Sequence, residues 1–283
     1  MNNVAIILTK NEEIHIERCI KNILPLFKKI YIIDSFSTDR TKEIAKKWPV
    51  NFLENHFLNH ASQFNWALKQ IDKNTNWVLR IDADEYLSKS LIDEISINLD
   101  SLDSSIKGIF LPRSIIYQEK MINHGAVKKT KILRLFKFGF GQSDNRWMDE
   151  HIIVKGKTID FKNSIIDHNL KPITWWIEKH NNYANREVFE IINNEFNTDK
   201  KNRVRYYYLP PLLRPILYFI YRYIFCFGFL DGKNGFCFHF LQALWYRLIV
   251  DMKYLEVKRK IKHKKYSRKE IIRKCLLIDF SND

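Results

Sequence analysis

The first hundred residues hold four short apolar runs, Val4–Leu8, Ile30–Ile33, Val50–Leu53 and Trp77–Ile81, separated by stretches with helical patterning. Each run has strand length and is rich in β-branched and aliphatic residues. Three of them stop abruptly on polar residues, at Thr9, Asp34 and Asp82. Between the runs, Thr9-Lys10-Asn11-Glu12 has the spacing of a capping box and predicts a helix through about Leu24. A Ser/Thr/Asp cluster leads into a helix over Thr41–Lys47. Ala61, Phe64, Leu68 and Ile71 share one helical face, and Leu87–Leu99 reads as a further helix. Strands that alternate with helices of this size build βαβ units and a largely parallel sheet, which places the chain in the α/β class. Ligands of such sheets sit beyond the carboxyl ends of the strands. Here those ends carry Thr9, Asp34 and Asp82-Ala83-Asp84.

The pattern then changes. Further strands are predicted over Gly108–Pro112, Lys131–Phe138, Ile152–Val154 and Ile165–His168, and from Pro172 the chain turns helical and aromatic. This suggests a nucleotide-binding and catalytic domain over 1–170 and a helical, aromatic and basic extension over 171–283. In the extension, Ile216–Leu230 contains one charged residue, Arg222, and Gly235–Val250 contains one, Arg247. Both are shorter than the roughly 20 residues that span a bilayer. They read as interfacial or re-entrant helices around the Asp231–Gly235 turn, followed by a basic helix from about Lys253 to Lys274. Two buried core helices fit the periodicity equally well.

Charge separates these readings. Of 47 Lys/Arg and 32 Asp/Glu, residues 200–283 hold 19 and 6, which leaves 28 against 26 for the first 199. The C-terminal part therefore meets something anionic, either acidic lipid or nucleic acid. The run Lys258 to Lys265 comes with no nucleic-acid fold motif, so a membrane surface is the stronger expectation. Cys19, Cys226, Cys237 and Cys275 form no CxxC pair and read as buried thiols of a reducing compartment. No basic segment leads into a long apolar one at the N-terminus, so the expected location is cytoplasmic, peripheral on the inner face of the membrane. The hydrophobic share of 46% and only 8 Gly and 7 Pro exclude disordered and repetitive chains.

The sharpest chemical signal is Arg80-Ile81-Asp82-Ala83-Asp84-Glu85. A strand that ends in two carboxylates one residue apart brings them together only if the chain turns there. Oxygen ligands on a short loop suit Mg²⁺ or Mn²⁺ held jointly with substrate phosphate, and such an ion neutralises a diphosphate leaving group. An isolated D-x-D is more often a solvated acidic turn.

This one is accompanied by Thr9-Lys10-Asn11-Glu12 after strand one and Asp34-Ser35-Phe36-Ser37-Thr38-Asp39 after strand two. In that order the motifs resemble the family-2 glycosyltransferases of the GT-A fold, well over 4 to about 100 and loosely over 100–170. The resemblance implies that Thr9, Asn11 and Glu12 line a nucleotide pocket. Asp34 would accept from uracil N3–H, Asp82 would hold the ribose or assist the metal, and Asp84 would ligate it. Gln63 and Asn65 remain candidates for polar contacts to the donor. Many relatives carry a basic residue where Phe64 stands, so its phosphate contact passes to the metal or to Arg134 or Arg146.

The resemblance also implies a catalytic base in Asp144-Asn145-Arg146-Trp147-Met148-Asp149-Glu150-His151. Such a carboxylate removes the acceptor hydroxyl proton. Glu150 is favoured, with Asp149 second. His151 is either a third metal ligand or a hydrogen-bonded structural residue, and Trp147 either stacks on a sugar or packs. Trp175–His180, Arg214-Pro215, Tyr221-Arg222-Tyr223, Asp231-Gly232-Lys233 and Trp245-Tyr246-Arg247 are similar to enzymes that build lipopolysaccharide core or capsule. The implied activity is an inverting hexosyltransferase that uses a UDP-sugar, Mn²⁺ or Mg²⁺, and a lipid-linked or lipopolysaccharide acceptor. Two alternatives compete with it. Sugar nucleotidyltransferases need a Gly-rich basic loop after strand one, which Lys10-Asn11-Glu12 does not provide. A basic membrane- or nucleic-acid-binding protein with a non-catalytic nucleotide domain is the other.

Overall fold

Strand β1 (Val4–Thr9) lies between β2 (Lys29–Asp34) and β4 (Trp77–Asp82), parallel to both, with β3 (Asn51–Glu54) parallel to the outer side of β2. Val4 to Ile7 are all buried, because both faces of the strand are covered and so need apolar residues at every position. Helix α1 (Ile16–Ile23) packs on one face with Cys19, Ile20 and Ile23. On the other face, α3 (His60–Gln70) contributes Phe64 and Ala67, while α2 (Thr41–Ala45) links β2 to β3. The register pairs Thr9 with Asp34 and Leu8 with Asp82, so the polar ends of three strands stand at one level.

The computed structural model describes residues 2–127, 130–144, 151–194, 206, 208–262 and 267–277. Two compact units emerge, Met1–Ile122 with Val127–Leu170, and Asn123–Ala126 with Lys171–Asp283.

In the first unit the chain turns after β4 into β5 (Glu85–Leu87), and α4 (Lys89–Asn98) begins only after Ser88, whose hydroxyl accepts from the Leu91 amide. The helix expected from Leu87 thus starts two residues later. β6 (Ile106–Tyr117) is long enough to serve two neighbourhoods. Its first part pairs antiparallel with β8 (Lys131–Lys137), which lies against β4. Its second part pairs parallel with β12 (Ile165–His168), which carries β5 on its far side. β7 (Lys120–Ile122) and β11 (Lys157–Asp160) also join β6, while β9 (Gly141–Ser143) and β10 (Ile152–Val154) form a separate hairpin. The short strands β5, β7, β9 and β11 carry no sequence signal of their own. The expected capping box is not formed. Helix α1 starts at Ile16 without a side-chain cap, and Thr9 and Glu12 bond elsewhere.

The second unit is helical. Its core joins Ala184, Val188 and Ile192 of α5 (Ile173–Asn194) to residues of two later helices. After α6 (Leu213–Ile220) come a π-helical turn, Tyr221–Phe225, and a 3₁₀ turn, Gly228–Asp231. Then follow α7 (Gly232–His239), a second π-helical turn, Phe240–Trp245, and α8 (Tyr246–Lys262). α9 (Arg268–Leu276) is opened by a Ser267/Glu270 capping box. Val250, Tyr254 and Val257 of α8 and Ile271, Ile272 and Leu276 of α9 complete the core. The single basic helix expected over 253–274 is therefore two helices, the first beginning at Tyr246. Among the described residues no single helix is long and apolar enough to cross a membrane, but Leu213–Phe225 and Gly228–Lys262, bent by 71° at their break, meet that test as a pair. Cys19 is buried as expected, and burial pushes its thiol up; the other three cysteines are only partly covered.

Arg214 and Asp251 form a buried ion pair, 2% and 1% exposed. The Arg214 Nε donates to both carboxylate oxygens at 2.8 and 3.0 Å, and the Leu212 amide donates to the same group at 2.8 Å. Asp251→Asn should leave the guanidinium buried without a counter-charge. A loss of about 3–5 kcal/mol is expected by urea denaturation. The double change Arg214→Met/Asp251→Leu should recover most of it.

Candidate active site

The loop after β1 and the loop after β2 are tied to each other by side chains. Asp34 is buried, and its carboxylate accepts from Thr9 Oγ1 at 2.8 Å, from the Ser37 amide at 2.6 Å and from Ser37 Oγ. Ser37 Oγ in turn accepts from the Asn11 amide at 2.7 Å, and Asn11 Oδ1 accepts from the Thr38 amide at 2.8 Å. Asn11 sits in the left-handed region, φ 55°, which asparagine tolerates better than most residues. The Glu12 amide donates to Thr41 Oγ1, and the Glu12 carboxylate receives His15 Nδ1 at 2.7 Å. His15 is fully buried, and its Nε2 accepts from the Leu170 amide at 2.8 Å. Those two bonds fix the neutral Nδ1–H tautomer.

At the end of β4, one guanidinium holds two carboxylates. Arg134, on β8, donates to Asp82 Oδ2 and to Glu85 Oε1, each at 2.8 Å, and the Asp82 amide donates to Glu85 Oε2 at 3.0 Å. The side chains differ in exposure, 38% for Asp82 and 2% for Glu85. Burial alone would raise the Asp82 carboxyl; the Arg134 and Arg80 guanidiniums outweigh it and hold it well below the usual carboxylate range. Burial pushes Glu85 up to about 7, and the charge of Asp82 adds to the rise against the pull of Arg134. Of the two carboxylates, Asp82 is the one held ionised and Glu85 the one that burial makes easier to protonate.

Asp84 stands apart. It is half-buried, accepts from Asn169 Nδ2 at 2.8 Å, and pairs with no cation among the described residues. The loop that presents it is pinned from below. Arg18 NH2 donates to the carbonyls of Asp84 and His168, at 3.1 and 2.6 Å, and the His168 amide donates to the Asp84 carbonyl. The chain thus turns at the D-x-D, between β4 and β5.

The other expected residues divide. Gln63 is buried and bonds Asn55 and Ser35, and Asn65 exchanges two 2.9 Å bonds with the Ser143 backbone. Both side chains position loops. Phe64 is core, with the Arg80 guanidinium over its ring at 5.3 Å. Arg134, expected as a spare cation for donor phosphate, is committed to Asp82 and Glu85. Asp149 and Glu150 lie outside the described residues, as do Arg146 and Trp147. His151 is exposed; its amide donates to Asp144 Oδ1 at 2.8 Å and its carbonyl accepts from the Asp144 amide. Among the described residues no three His, Cys, Asp or Glu side chains come together to hold an ion. Sequence reasoning assigned no role to Glu85, His15, Arg18 or Asn169. Glu85 adjoins the D-x-D and His15 lies one helical turn from Glu12, so those two were within reach of spacing arguments; Asn169 was not.

The sequence model of glycosyl transferase family 2 matches residues 4–152, more than half of the chain. This chain belongs to that family. Its mixed, largely parallel sheet is the GT-A sheet expected of a member. Its relatives include an uncharacterised glycosyltransferase of Rickettsia bellii, 33% identical over 58% of this chain and 56% of that protein. This chain thus matches little more than half the length of that relative. The succinoglycan biosynthesis protein ExoA of Rhizobium meliloti is 29% identical over 36% of this chain and 35% of its own. Among solved structures, S. aureus TarS 1–349 in complex with UDP-GlcNAc aligns over 94% of this chain and 93% of its own, at 13% identity and a TM-score of 0.44.

In this family-2 enzyme the Thr9–Asp34–Ser37 lattice should carry measurable stability. Thr9→Val removes one donor from a buried carboxylate at nearly constant volume, and about 1–3 kcal/mol should be lost on urea denaturation. Ser37→Ala, which also strips the acceptor from the Asn11 amide, should lose at least as much. Wild-type stability in both variants would show that the lattice is dispensable.

Proposed function

We propose that this glycosyltransferase moves a hexose from a UDP-sugar, with inversion and with Mn²⁺ or Mg²⁺, to a lipid-linked or lipopolysaccharide-type glycan. Its place of work is the cytoplasmic face of the cell membrane, in cell-surface polysaccharide synthesis. The observation that carries the donor reading is Asp84, a carboxylate without a counter-charge among the described residues, presented on a pinned loop at the strand ends. A hard cation held by one carboxylate and substrate phosphate suits such a position, and it would supply charge to a departing diphosphate. Asp82 keeps Oδ1 without a hydrogen-bond partner among the described residues, open to a ribose hydroxyl or to the cation's water. Asp34 has three of its roughly four acceptor positions filled, so a uracil N3–H would be its fourth bond. The acceptor side rests on Glu150 as base, with Asp149 second. ExoA, named for succinoglycan biosynthesis, supports a polysaccharide acceptor.

The test is hydrolysis and transfer with a panel of nucleotide sugars, with and without Mn²⁺. UDP-sugars should be preferred, chelation should abolish turnover, and Asp84→Asn should lose at least ~100-fold in rate. Full activity in EDTA would overturn the metal assignment. Glu150→Gln should remove most transfer while leaving UDP affinity within a few-fold, because the base faces acceptor rather than donor. If Asp149→Asn is inactive and Glu150→Gln active, Asp149 is the base.

A further inference from the structure

In the second unit, the ten residues around the break between α6 and α7 hold a cluster of exposed apolar side chains. Phe225 is 70% exposed, Leu230 58%, Phe227 57%, Tyr221 52% and Ile224 51%. A water-facing surface rarely concentrates so much apolar area in so short a stretch. The charged residues of the same region run the other way. From 210 to 240 the chain has four: Arg214, Arg222, Asp231 and Lys233. Arg214 is buried against Asp251. Arg222 turns inward, donating from Nε to the Gly125 carbonyl at 2.8 Å with the rings of Tyr218 and Phe238 beneath its guanidinium. The Asp231 side chain is 5% exposed and accepts from the Asn123 and His124 amides and from the His124 ring. Of the four, only Lys233 is left on the surface. Charges inside and rings outside reverse the arrangement that water favours.

Three amides of the bend are satisfied within it, and the Cys226 carbonyl accepts from the Gly125 amide. The Cys226 amide donates to the Tyr221 carbonyl at 2.9 Å, Phe227 to Ile224 and Leu230 to Phe227, each at 3.0 Å. A segment entering hydrocarbon must meet this condition. The arm Leu213–Phe225 measures about 20 Å at helical rise, short of the roughly 30 Å core of a bilayer. That length suffices to enter one leaflet but not to cross a bilayer. Charge complementarity names the lipid: residues 200–283 carry 19 Lys/Arg against 6 Asp/Glu, and Arg259 and Lys262 stand exposed on α8.

We infer that the bend Tyr221–Leu230 is a wedge that inserts into one leaflet of an anionic bilayer, with the basic helices at headgroup level. This deepens the membrane location proposed above and rests on the second unit alone. The test uses the full chain with vesicles of phosphatidylcholine, with and without phosphatidylglycerol, at low and high salt. Wild type should bind the anionic vesicles and keep a salt-resistant fraction. Phe225→Glu/Phe227→Glu/Leu230→Glu should lose that fraction by at least about tenfold, with an unchanged melting temperature, because charge on an inserted surface is strongly disfavoured. Arg259→Glu/Lys262→Glu should weaken binding at low salt and spare the salt-resistant part. Should the triple variant misfold, Phe225→Ser/Leu230→Ser takes its place. Vesicle binding by the apolar-to-polar variants equal to wild type would overturn the inference. So would a wild type that ignores vesicles and runs as a dimer which those variants dissociate, since a second copy would then cover the wedge. Donor hydrolysis on the same preparations is independent of both outcomes; its absence with vesicle binding intact would overturn the transfer reading alone.

Discussion

A strand covered on both faces has no side on which to place a polar residue, so its polar residues collect at its ends. β1 is such a strand, and its parallel register with β2 and β4 brings the ends of all three to one level. Carboxylates gathered there repel each other and must be neutralised or separated. The structure does both. Asp34 is held by hydroxyl and amide donors, and Asp82 shares the Arg134 guanidinium with Glu85, whose carboxyl is pushed up by burial. Asp84 is, of these, the carboxylate left without an internal counter-charge among the described residues.

This frame was legible in the sequence because apolar runs and their polar stops are local signals. β10 and β12 were placed to the residue, and β1, β2, β4 and β8 to within one. The failures were local signals with distant owners. Thr9 and Glu12 have capping-box spacing, yet Thr9 bonds a residue 25 positions away and Glu12 serves His15. Leu87 belongs by pattern to a helix, but its register with Ile165 makes it strand. Asn169 reaches Asp84 across 85 residues, and no spacing rule would connect them. Gln63 and Asn65, expected to contact the donor, also bond Ser35, Asn55 and Ser143 through their amides, links that no spacing rule would reveal.

For the helical unit, periodicity left interfacial and core helices equally open, because rings and aliphatic residues serve both. What distinguishes them is where the few charges go, and that depends on partners far along the chain. Arg214 finds Asp251 37 residues later, and Arg222 finds a carbonyl 97 residues earlier. With the charges drawn inward, the apolar surface is what the bend has to offer.

The segment Asn123–Ala126 belongs to the second unit although the strands on either side of it belong to the first. Its amides and its glycine find their partners at Asp231, Cys226 and Arg222, about a hundred residues further on. On the ribosome, where the chain emerges at about 5–20 residues per second, that segment waits on the order of 5–20 s for the residues that receive it. The sheet therefore has time to form around a vacant loop. Gly125, with φ +74° and the His239 ring where a side chain would be, is the residue that lets a late-arriving helix close over an early turn.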